Sequence, residues 1–377
     1  MLTDGNKGNK NKKIAVITRH SIFNYGSLLQ TIATQESIKS LGYDCEIIDY
    51  QRDDEDYHKI AGVLVTKTKW NRIFITRLIY KILQSPKFYI MGRHFEKMRK
   101  DVLKTTKKYT SLKELTDEKP LADIYLTGSD QVWGPIGSDE FDPAYFLSFT
   151  DDFDTRISYA ASFGRVKFTE HSIEEFKKYL KRYRAITVRE KSAKEIIENM
   201  GIVPVKQVLD PTLLLNKEYW ERFIQDEFPK DYILIYQLHN NPQMMEYAYK
   251  LAEHTGLKLV TMSSTAQHLV HKGSKHVFLP TLSQWLGYIK NARFMITDSF
   301  HGTAFAINLN TQFVNVLPEN TSTRNRSILE LTGLEKRVVK DYSDFSLFDE
   351  TIDFEKINQI IKDKRKESLE ILMNLLS

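Results

Sequence analysis

Cysteine is almost absent from this chain of 377 residues, and the single cysteine, Cys45, excludes an intrachain disulfide and a metal site built from cysteines. No run of eighteen apolar residues occurs, so no transmembrane helix is predicted. The first 12 residues are polar and lack the apolar core of a signal peptide, so we expect a disordered tail at 1–12 and a cytoplasmic protein. No G-x-G-x-x-G fingerprint or P-loop follows the first predicted strand, which argues against a dinucleotide or Walker-type site.

Acidic residues are scarce between positions 67 and 108, where Glu96 and Asp101 are the only two. Apolar residues such as Trp70 and Phe74 are interleaved with basic ones, and a stretch of this kind can lie on an anionic membrane surface, here the inner face. The alternative is a helical insertion packed on its own domain with a solvated basic face. Nucleic acid is disfavoured, because no recognised nucleic-acid motif accompanies the charge. The basic residues are Lys67, Lys69, Arg72, Arg77, Lys81, Lys87, Arg93, Lys97, Arg99, Lys100, Lys104, Lys107 and Lys108.

The order of apolar runs predicts an α/β protein with two Rossmann-like, doubly wound domains facing a cleft. Hydrophobic residues at 41% and charged residues at 27% are typical of a globular protein, and the length favours two domains. The predicted parts are a first domain at 13–226, a basic helical insertion at about 64–108, a linker at 227–231, a second domain at 232–345 and a helix at 353–377. That last helix could pack back on the first domain.

The segment 293–308 is the most informative, because an apolar strand runs directly into a helix there, with Asp298, Ser299, His301 and Gly302 at the junction. Open α/β sheets place binding sites at such strand ends. Amides at the helix start favour an anion, a serine can cap the helix, and a histidine can supply a proton or a positive charge. We therefore expect an acidic substrate. The alternative is that Ser299 only caps the helix and His301 only fills its start.

Three other strand ends carry unusual polar residues. After the first strand come Asn24, Tyr25, Gly26 and Ser27, where the glycine permits a tight turn and the serine can cap the next helix. Taken alone, this group is more typical of a turn than of a binding loop.

Ser129, Asp130 and Gln131 follow the apolar strand predicted at 122–127, and such side chains can satisfy several sugar hydroxyls. Arg189 ends another apolar run and could offer its forked cation to a phosphate or a carboxylate. The alternative for Arg189 is an ordinary surface ion pair.

With these motifs in their order, the chain resembles the polysaccharide pyruvyl transferase family. The resemblance rests on residues 24–27 with Gln30, and on residues 128–133, 158–164, 188–190, 209–212 and 298–302. It implies a fold like that of GT-B glycosyltransferases, phosphoenolpyruvate as donor, and a sugar acceptor in a polysaccharide or a lipid-linked glycan. It implies no cofactor and no metal.

The implied reaction protonates C3 of the enol, adds one sugar hydroxyl at C2, releases phosphate and closes a cyclic ketal with a second hydroxyl. The candidate catalytic residues are His301 and Asp130. Arg324 and Arg326, ahead of a helix predicted at 327–331, are further anion-binding candidates, and the sequence leaves the choice between them open. The donor-binding candidates are Arg189, Ser299, Gly302, Arg324 and Arg326, and the acceptor-binding candidates are Asn24, Tyr25, Gly26, Ser129 and Gln131.

Two other functions remain as alternatives. The first is a glycosyltransferase that uses a nucleotide sugar, which suits the same architecture. The second is a non-catalytic membrane-surface subunit of glycan assembly, which the basic stretch would favour and the anion-binding candidates argue against.

Overall fold

Two five-stranded parallel β-sheets and one two-stranded parallel sheet, formed by residues 186–188 and 205–207, organise the protein in a computed structural model, which describes residues 12–136, 140–264, 273–318 and 322–377. The tail predicted to be disordered therefore lies outside the described residues, except for Lys12. The strands are β1 Lys13–Ile17, β2 Asp44–Tyr50, β3 Thr105–Tyr109, β4 Ile124–Thr127, β5 Thr155–Ser158, β6 Ile186–Val188, β7 Val205–Gln207, β8 Tyr232–Tyr236, β9 Lys258–Ser263, β10 Ser274–Phe278, β11 Phe294–Thr297 and β12 Phe313–Asn315. The α-helices are α1 Tyr25–Ser40, α2 Ile60–Thr66, α3 Phe74–Val102, α4 Leu112–Asp117, α5 Glu170–Leu180, α6 Lys191–Asn199, α7 Lys217–Glu221, α8 Pro242–Thr255, α9 Leu282–Asn291, α10 Phe300–Leu309, α11 Thr323–Thr332, α12 Ser346–Asp349 and α13 Phe354–Leu376.

The chain divides into two compact units. Unit 1 comprises Met1–Arg189, Ala193–Pro211 and Glu370–Ser377, and unit 2 comprises Glu190–Ser192 and Thr212–Leu369. The last residues of α13 thus belong to unit 1, where the Arg184 guanidinium donates to the Leu375 carbonyl.

The main boundary between the units falls after Pro211, earlier than the predicted linker at 227–231. The reason is Trp220 of α7, which is fully buried within unit 2. Its ring lies 5.0 Å from that of Phe305 in α10, and its indole N–H donates to the Thr212 carbonyl at 3.0 Å. Residues 212–226, which the predicted boundary placed in the first domain, are therefore part of the second unit.

In unit 1 the sheet order is β3-β2-β1-β4-β5, with all neighbouring strands parallel. Central β1 is a continuous buried apolar run after its first residue, as expected for a parallel sheet covered on both faces. The chain moves from β1 to one side and then returns to place β4 on the other. The carboxyl ends of β1 and β4 therefore form a topological switch point, the usual position of a site in such sheets.

In unit 2 the sheet order is β10-β9-β8-β11-β12, again parallel throughout. The same reversal of direction makes the carboxyl ends of β8 and β11 the switch point of this unit. Both groups of candidate residues thus follow strands that flank a switch point: residues after β1 and β4 in unit 1, and residues after β11 in unit 2.

Two local predictions need correction. The basic segment is helical in α2, α3 and the short 3-10 helix Lys69–Arg72, but Thr105–Tyr109 forms edge strand β3. Tyr109 is buried and pairs with Tyr50, which holds this segment in the sheet. The helix predicted at 327–331 begins instead at Thr323, so Arg324 and Arg326 lie within its first turn and not ahead of it.

Within the described residues, no helix is long and apolar enough to cross a membrane.

Candidate functional site

A buried polar group lies at the switch point of unit 1. Thr18, directly after β1, donates through its hydroxyl to the Ser129 carbonyl at 2.8 Å and so joins the ends of β1 and β4. Ser27, in the first turn of α1, donates through its hydroxyl to the Asp130 carboxylate. The Asn24 side chain caps α1 by accepting from the Ser27 amide at 3.2 Å. The loop after β1 therefore orients the residue that contacts Asp130.

Asp130 has a left-handed backbone conformation, with φ of 76°. This conformation costs free energy for a residue other than glycine, and it persists where the surroundings hold it in place, often at functional sites. The Gln131 amide donates to Asp130 Oδ1 at 2.9 Å, and the residue is 5% exposed.

Arg189 forms a buried ion pair, not the surface pair that was the alternative to a donor-binding role. Its Nη1 donates to Asp210 Oδ2 at 2.8 Å, and its Nη2 lies 3.4 Å from Asp130 Oδ1. Ser129 also donates to Asp210 Oδ2, at 2.9 Å. The structure thus brings together the predicted residues Ser129, Asp130 and Arg189, and it adds Asp210 as the carboxylate that holds the arginine.

The remaining acceptor candidates of unit 1 have clear packing contacts. Tyr25 is buried, and its ring lies 4.9 Å from that of Phe95. Gln131 packs against Gly164, where an added Cβ would lie 2.4 Å from the Gln131 Nε2 atom. Gly26 is buried in the first turn of α1.

A second feature of unit 1 is a cavity of about 340 Å³ that sequence reasoning did not predict. Its lining includes a buried His20 whose Nε2 lies 3.0 Å from Asp49 Oδ1. The side chains that line this cavity include His20, Asp49, Gln51, Tyr57, Glu96 and Arg99. Several of these side chains belong to loops and others to α3. No local sequence pattern predicts that they line one cavity.

In unit 2, Asp298 connects the ends of β8 and β11. Its carboxylate accepts from the amides of Leu238 and His239, both at 2.8 Å, and His239 Nδ1 lies 3.0 Å from Oδ2. Asp298 is 2% exposed, whereas the His239 side chain is 46% exposed. A buried carboxylate therefore orients a solvent-accessible imidazole, an arrangement suited to proton transfer.

Ser299 caps α10 as predicted from its position, accepting from the Gly302 amide at 3.1 Å. Gly302 has a steric role, because an added Cβ would lie 2.5 Å from Thr297 Oγ1. His301, in the first turn of α10, is 6% exposed and packs edge-on against Phe300 with ring centroids 5.0 Å apart. The N-terminal end of this helix carries a positive partial charge, which favours an anion nearby.

Arg324, and not Arg326, lies beside this junction. The Arg324 guanidinium carbon is 5.8 Å from the centroid of the Phe300 ring. Asn325 donates to the Asp298 carbonyl at 3.2 Å and so fixes α11 against the same junction. Residues two positions apart on a helix point in different directions, and exposed Arg326 lines a separate cavity of about 280 Å³.

Two residues of this group were missed by sequence reasoning: His239 and Gln237. Gln237 is 6% exposed and donates through Nε2 to the carbonyls of His239 and Asn241, at 2.7 and 3.1 Å. Within the part of the chain that the structure describes, its Oε1 has no hydrogen-bond partner. The available signal was their position directly after the apolar run of β8, the same signal that drew attention to Asp298.

Neither a metal cluster nor a reactive thiol accompanies these groups in the described ranges. No group of three or more His, Cys, Asp or Glu side chains there could hold a metal ion. Burial raises the pKa of the Cys45 thiol well above its usual range, which disfavours the reactive thiolate.

The sequence profile of the polysaccharide pyruvyl transferase family matches residues 24–320, a span that begins at the α1 cap and includes the residues that follow β4 and β11. The chain belongs to the polysaccharide pyruvyl transferase family. It is therefore a transferase, as the order of motifs predicted. No curated protein matches the sequence.

Solved structures similar to this pyruvyl transferase family member confirm the predicted GT-B-like fold. A putative UDP-N-acetylglucosamine 2-epimerase from Listeria monocytogenes is 12% identical, with coverage of 94% of this chain and 90% of that chain and a TM-score of 0.51. UGT89C1 from Arabidopsis thaliana, solved with quercetin, is 8% identical, with coverage of 96% and 98% and a TM-score of 0.50. An alpha-glucosyltransferase solved with UDP and DNA is 10% identical, with coverage of 96% and 95% and a TM-score of 0.50. At these identities the likeness concerns the fold alone.

Proposed function

We propose that this pyruvyl transferase moves the enolpyruvyl group of phosphoenolpyruvate onto two hydroxyls of one sugar, forming a pyruvate ketal and releasing phosphate. The observation that carries the proposal is the junction around Asp298, where His239, His301 and Arg324 adjoin the positive end of α10 in a member of this family. Phosphoenolpyruvate carries both a phosphate and a carboxylate, so its site needs positive charge. Its reaction also needs groups that exchange protons near neutral pH.

In the proposed reaction, one carbon atom of the donor gains a proton and two hydroxyl groups of the acceptor each lose a proton. Protonation of C3 turns the methylene into a methyl group and makes C2 electrophilic. One hydroxyl oxygen adds to C2 and loses its proton, and phosphate leaves with the electron pair of its C–O bond. The second hydroxyl then adds to C2, loses its proton and closes the ketal.

Within unit 2 we assign the proton transfers to the histidines. His301 donates the proton to C3, since it lies at the helix end that favours the anionic donor. His239 accepts a hydroxyl proton, because Asp298 holds its Nδ1 side and stabilises the imidazolium that forms. Arg324 and the α10 dipole neutralise the phosphate as it leaves.

For unit 1 we propose acceptor binding in the cavity of about 340 Å³. Asp49, Gln51 and Glu96 offer carboxylate and amide oxygens to sugar hydroxyls, and Tyr57 offers an aromatic ring. The acceptor is a sugar of a polysaccharide or of a lipid-linked oligosaccharide precursor. Asp130 has a catalytic role in this proposal, because its backbone is held in a left-handed conformation that costs free energy.

The location we propose is cytoplasmic and peripheral on the inner face of the membrane, where a lipid-linked acceptor is accessible. No cofactor or metal takes part in the proposed reaction.

The test is incubation of purified protein with phosphoenolpyruvate and a panel of soluble and lipid-linked saccharides, followed by mass spectrometry and phosphate measurement. We expect acceptor mass to rise by pyruvate less water, with one phosphate released per product. A parallel incubation contains UDP-sugars in place of phosphoenolpyruvate. Glycosyl transfer from a UDP-sugar, without any reaction of phosphoenolpyruvate, would establish the glycosyltransferase alternative and reject the proposal.

A further inference from the structure

Most of the exposed large hydrophobic side chains among the described residues lie in one short segment. Phe74 is 74% exposed, Ile75 is 65% exposed and Ile82 is 62% exposed. Monomeric proteins rarely expose contiguous apolar surface of this kind without a partner. We call this segment the docking surface, and its exposed apolar residues are Trp70, Ile73, Phe74, Ile75, Leu78, Ile79, Ile82, Leu83, Tyr89 and Ile90.

The apolar residues recur at helical spacing along the first part of α3. Ile75, Leu78, Ile79 and Ile82 follow the i, i+3, i+4, i+7 pattern that places side chains on one face of a helix. Pro86 lies inside α3, and the part of the helix beyond it packs on unit 1. The buried residues there include Phe88, Met91, Phe95 and Met98. The part of α3 beyond Pro86 is therefore anchored in unit 1, although Tyr89 and Ile90 there stay exposed, and the part before Pro86 presents its apolar face to solvent.

The charge around the docking surface has one sign. The sequence contains no aspartate or glutamate between positions 57 and 95. Within the described part of the chain, the structure shows no ion pair for the basic residues of the docking surface, which are Lys67, Lys69, Arg72, Arg77, Lys81 and Lys87. Exposed apolar residues flanked by unneutralised basic residues match an anionic lipid interface.

The basic residues near the end of α3 have other contacts. Arg99 is buried and donates to the Ser21 carbonyl at 3.0 Å, Lys100 pairs with Glu96 at 2.7 Å, and Lys104 pairs with Asp44 at 2.7 Å. The stretch from 67 to 108 is therefore not one uniform membrane-binding surface. Apart from exposed Lys97 and buried Arg99, the basic residues of the stretch that have no ion pair within the described residues lie before residue 90.

We infer that the docking surface inserts its apolar residues into an anionic lipid bilayer, with the basic residues at the headgroups. A second copy of the chain is a poor occupant, because a symmetric interface would bring the same basic residues together. The inference does not depend on the reaction proposed above. It does support acceptor binding in the cavity of about 340 Å³, because α3 contributes to both the docking surface and the cavity lining. Glu96, Arg99 and Lys100 of α3 line that cavity, so one helix connects the bilayer to the proposed site for a lipid-linked sugar.

The test is sedimentation of the full chain with vesicles of phosphatidylcholine, either alone or mixed with phosphatidylglycerol. We expect binding to the anionic vesicles at low salt, weakened by about 0.5 M salt because the charges are screened. The quadruple variant Ile75→Gln, Leu78→Gln, Ile82→Gln and Leu83→Gln should bind at least about tenfold more weakly. A second variant, Lys67→Gln, Lys69→Gln, Arg72→Gln and Arg77→Gln, should lose the preference for anionic over neutral vesicles.

Matched controls replace residues of similar exposure elsewhere in unit 1. Leu121, Phe153 and Val203 are 81%, 84% and 70% exposed, and their combined change to glutamine should leave vesicle binding unaltered. Circular dichroism and thermal unfolding establish that every variant is folded.

Three results would overturn the inference. The first is a parent chain that ignores anionic vesicles at low salt, and the second is equal binding by parent and apolar variant. The third is a parent dimer in sedimentation equilibrium that dissociates in the apolar variant, together with no vesicle binding, which would assign the surface to a second copy. Turnover of a soluble saccharide is measured alongside, so that failure of membrane binding with intact pyruvyl transfer is distinguished from failure of the proposed reaction.

Discussion

Asp298 determines the geometry at the residue scale in unit 2, because its buried carboxylate holds both the His239 backbone and the His239 ring. We predict that His239→Ala lowers turnover by roughly 100-fold while changing stability by less than about 0.5 kcal/mol. The small effect on stability follows from the exposure of the ring, which is 46%. Steady-state kinetics and urea unfolding test this, and near-normal turnover would remove His239 from the proton transfers.

His301 differs from His239 in being almost fully buried in the first turn of α10. We predict that His301→Ala lowers turnover by roughly 100-fold or more and leaves the fold intact. His301→Gln is the better matched variant, because it retains volume and a hydrogen-bonding group but cannot carry the proton. If a folded His301→Gln enzyme kept its turnover, the proton to C3 would have to come from elsewhere.

Arg189 shows how the structure changes a prediction made from sequence. From sequence alone, Arg189→Lys should weaken donor binding more than folding. The buried pair with Asp210 predicts instead a loss of about 1–3 kcal/mol in the free energy of unfolding, since lysine cannot contact Asp210 and Asp130 through one planar fork. Urea unfolding and the donor KM are measured on the same preparation. If the free energy of unfolding were unchanged and the donor KM were raised, the result would support the donor-binding role of Arg189 predicted from sequence.

At the scale of the element, the close contact between α10 and β11 requires a glycine. Gly302→Ala places a methyl group 2.5 Å from Thr297 Oγ1, so we predict a loss of about 1–3 kcal/mol in stability. Gly62→Ala in α2 is the matched control, because its new Cβ meets only the flexible Lys81 side chain at 3.5 Å. The control should be neutral or stabilising by up to about 1 kcal/mol. Equal thermal stabilities for the two variants would contradict the steric role of Gly302.

Elements with a strong local pattern were predictable from sequence. The second domain is predicted to begin at Tyr232, and the apolar run Tyr232–Tyr236 between polar residues does form its first strand, β8. Strand β10 was not predicted, since only Val277 in it is buried and its place in the sheet depends on pairing with β9. Strand β3 was assigned to the helical insertion for the same reason. A local sequence pattern carries little information about strand pairing between distant segments of the chain.

At the scale of the whole molecule, the sequence predicted two Rossmann-like parts, and both the parallel sheets and the structural comparisons confirm this fold class. Apart from Arg324 and Arg326, which precede a predicted helix, the candidate residues were found where they follow an apolar run. Ser129, Asp130 and Arg189 do meet, but Asp210 as their partner and His239 as the partner of Asp298 depend on contacts between distant positions. The roles of these residues in a reaction stay predictions.

Ketal formation from phosphoenolpyruvate is tested most directly by running the reaction in D2O with 13C-labelled donor and examining the purified product. The proposed reaction predicts a quaternary ketal carbon in the 13C spectrum and a methyl group that carries one deuterium, because the proton added to C3 comes from exchangeable groups of the enzyme. A product that retains the vinyl carbons of the donor, or a methyl group without deuterium, would contradict protonation at C3 followed by addition of two hydroxyls at C2.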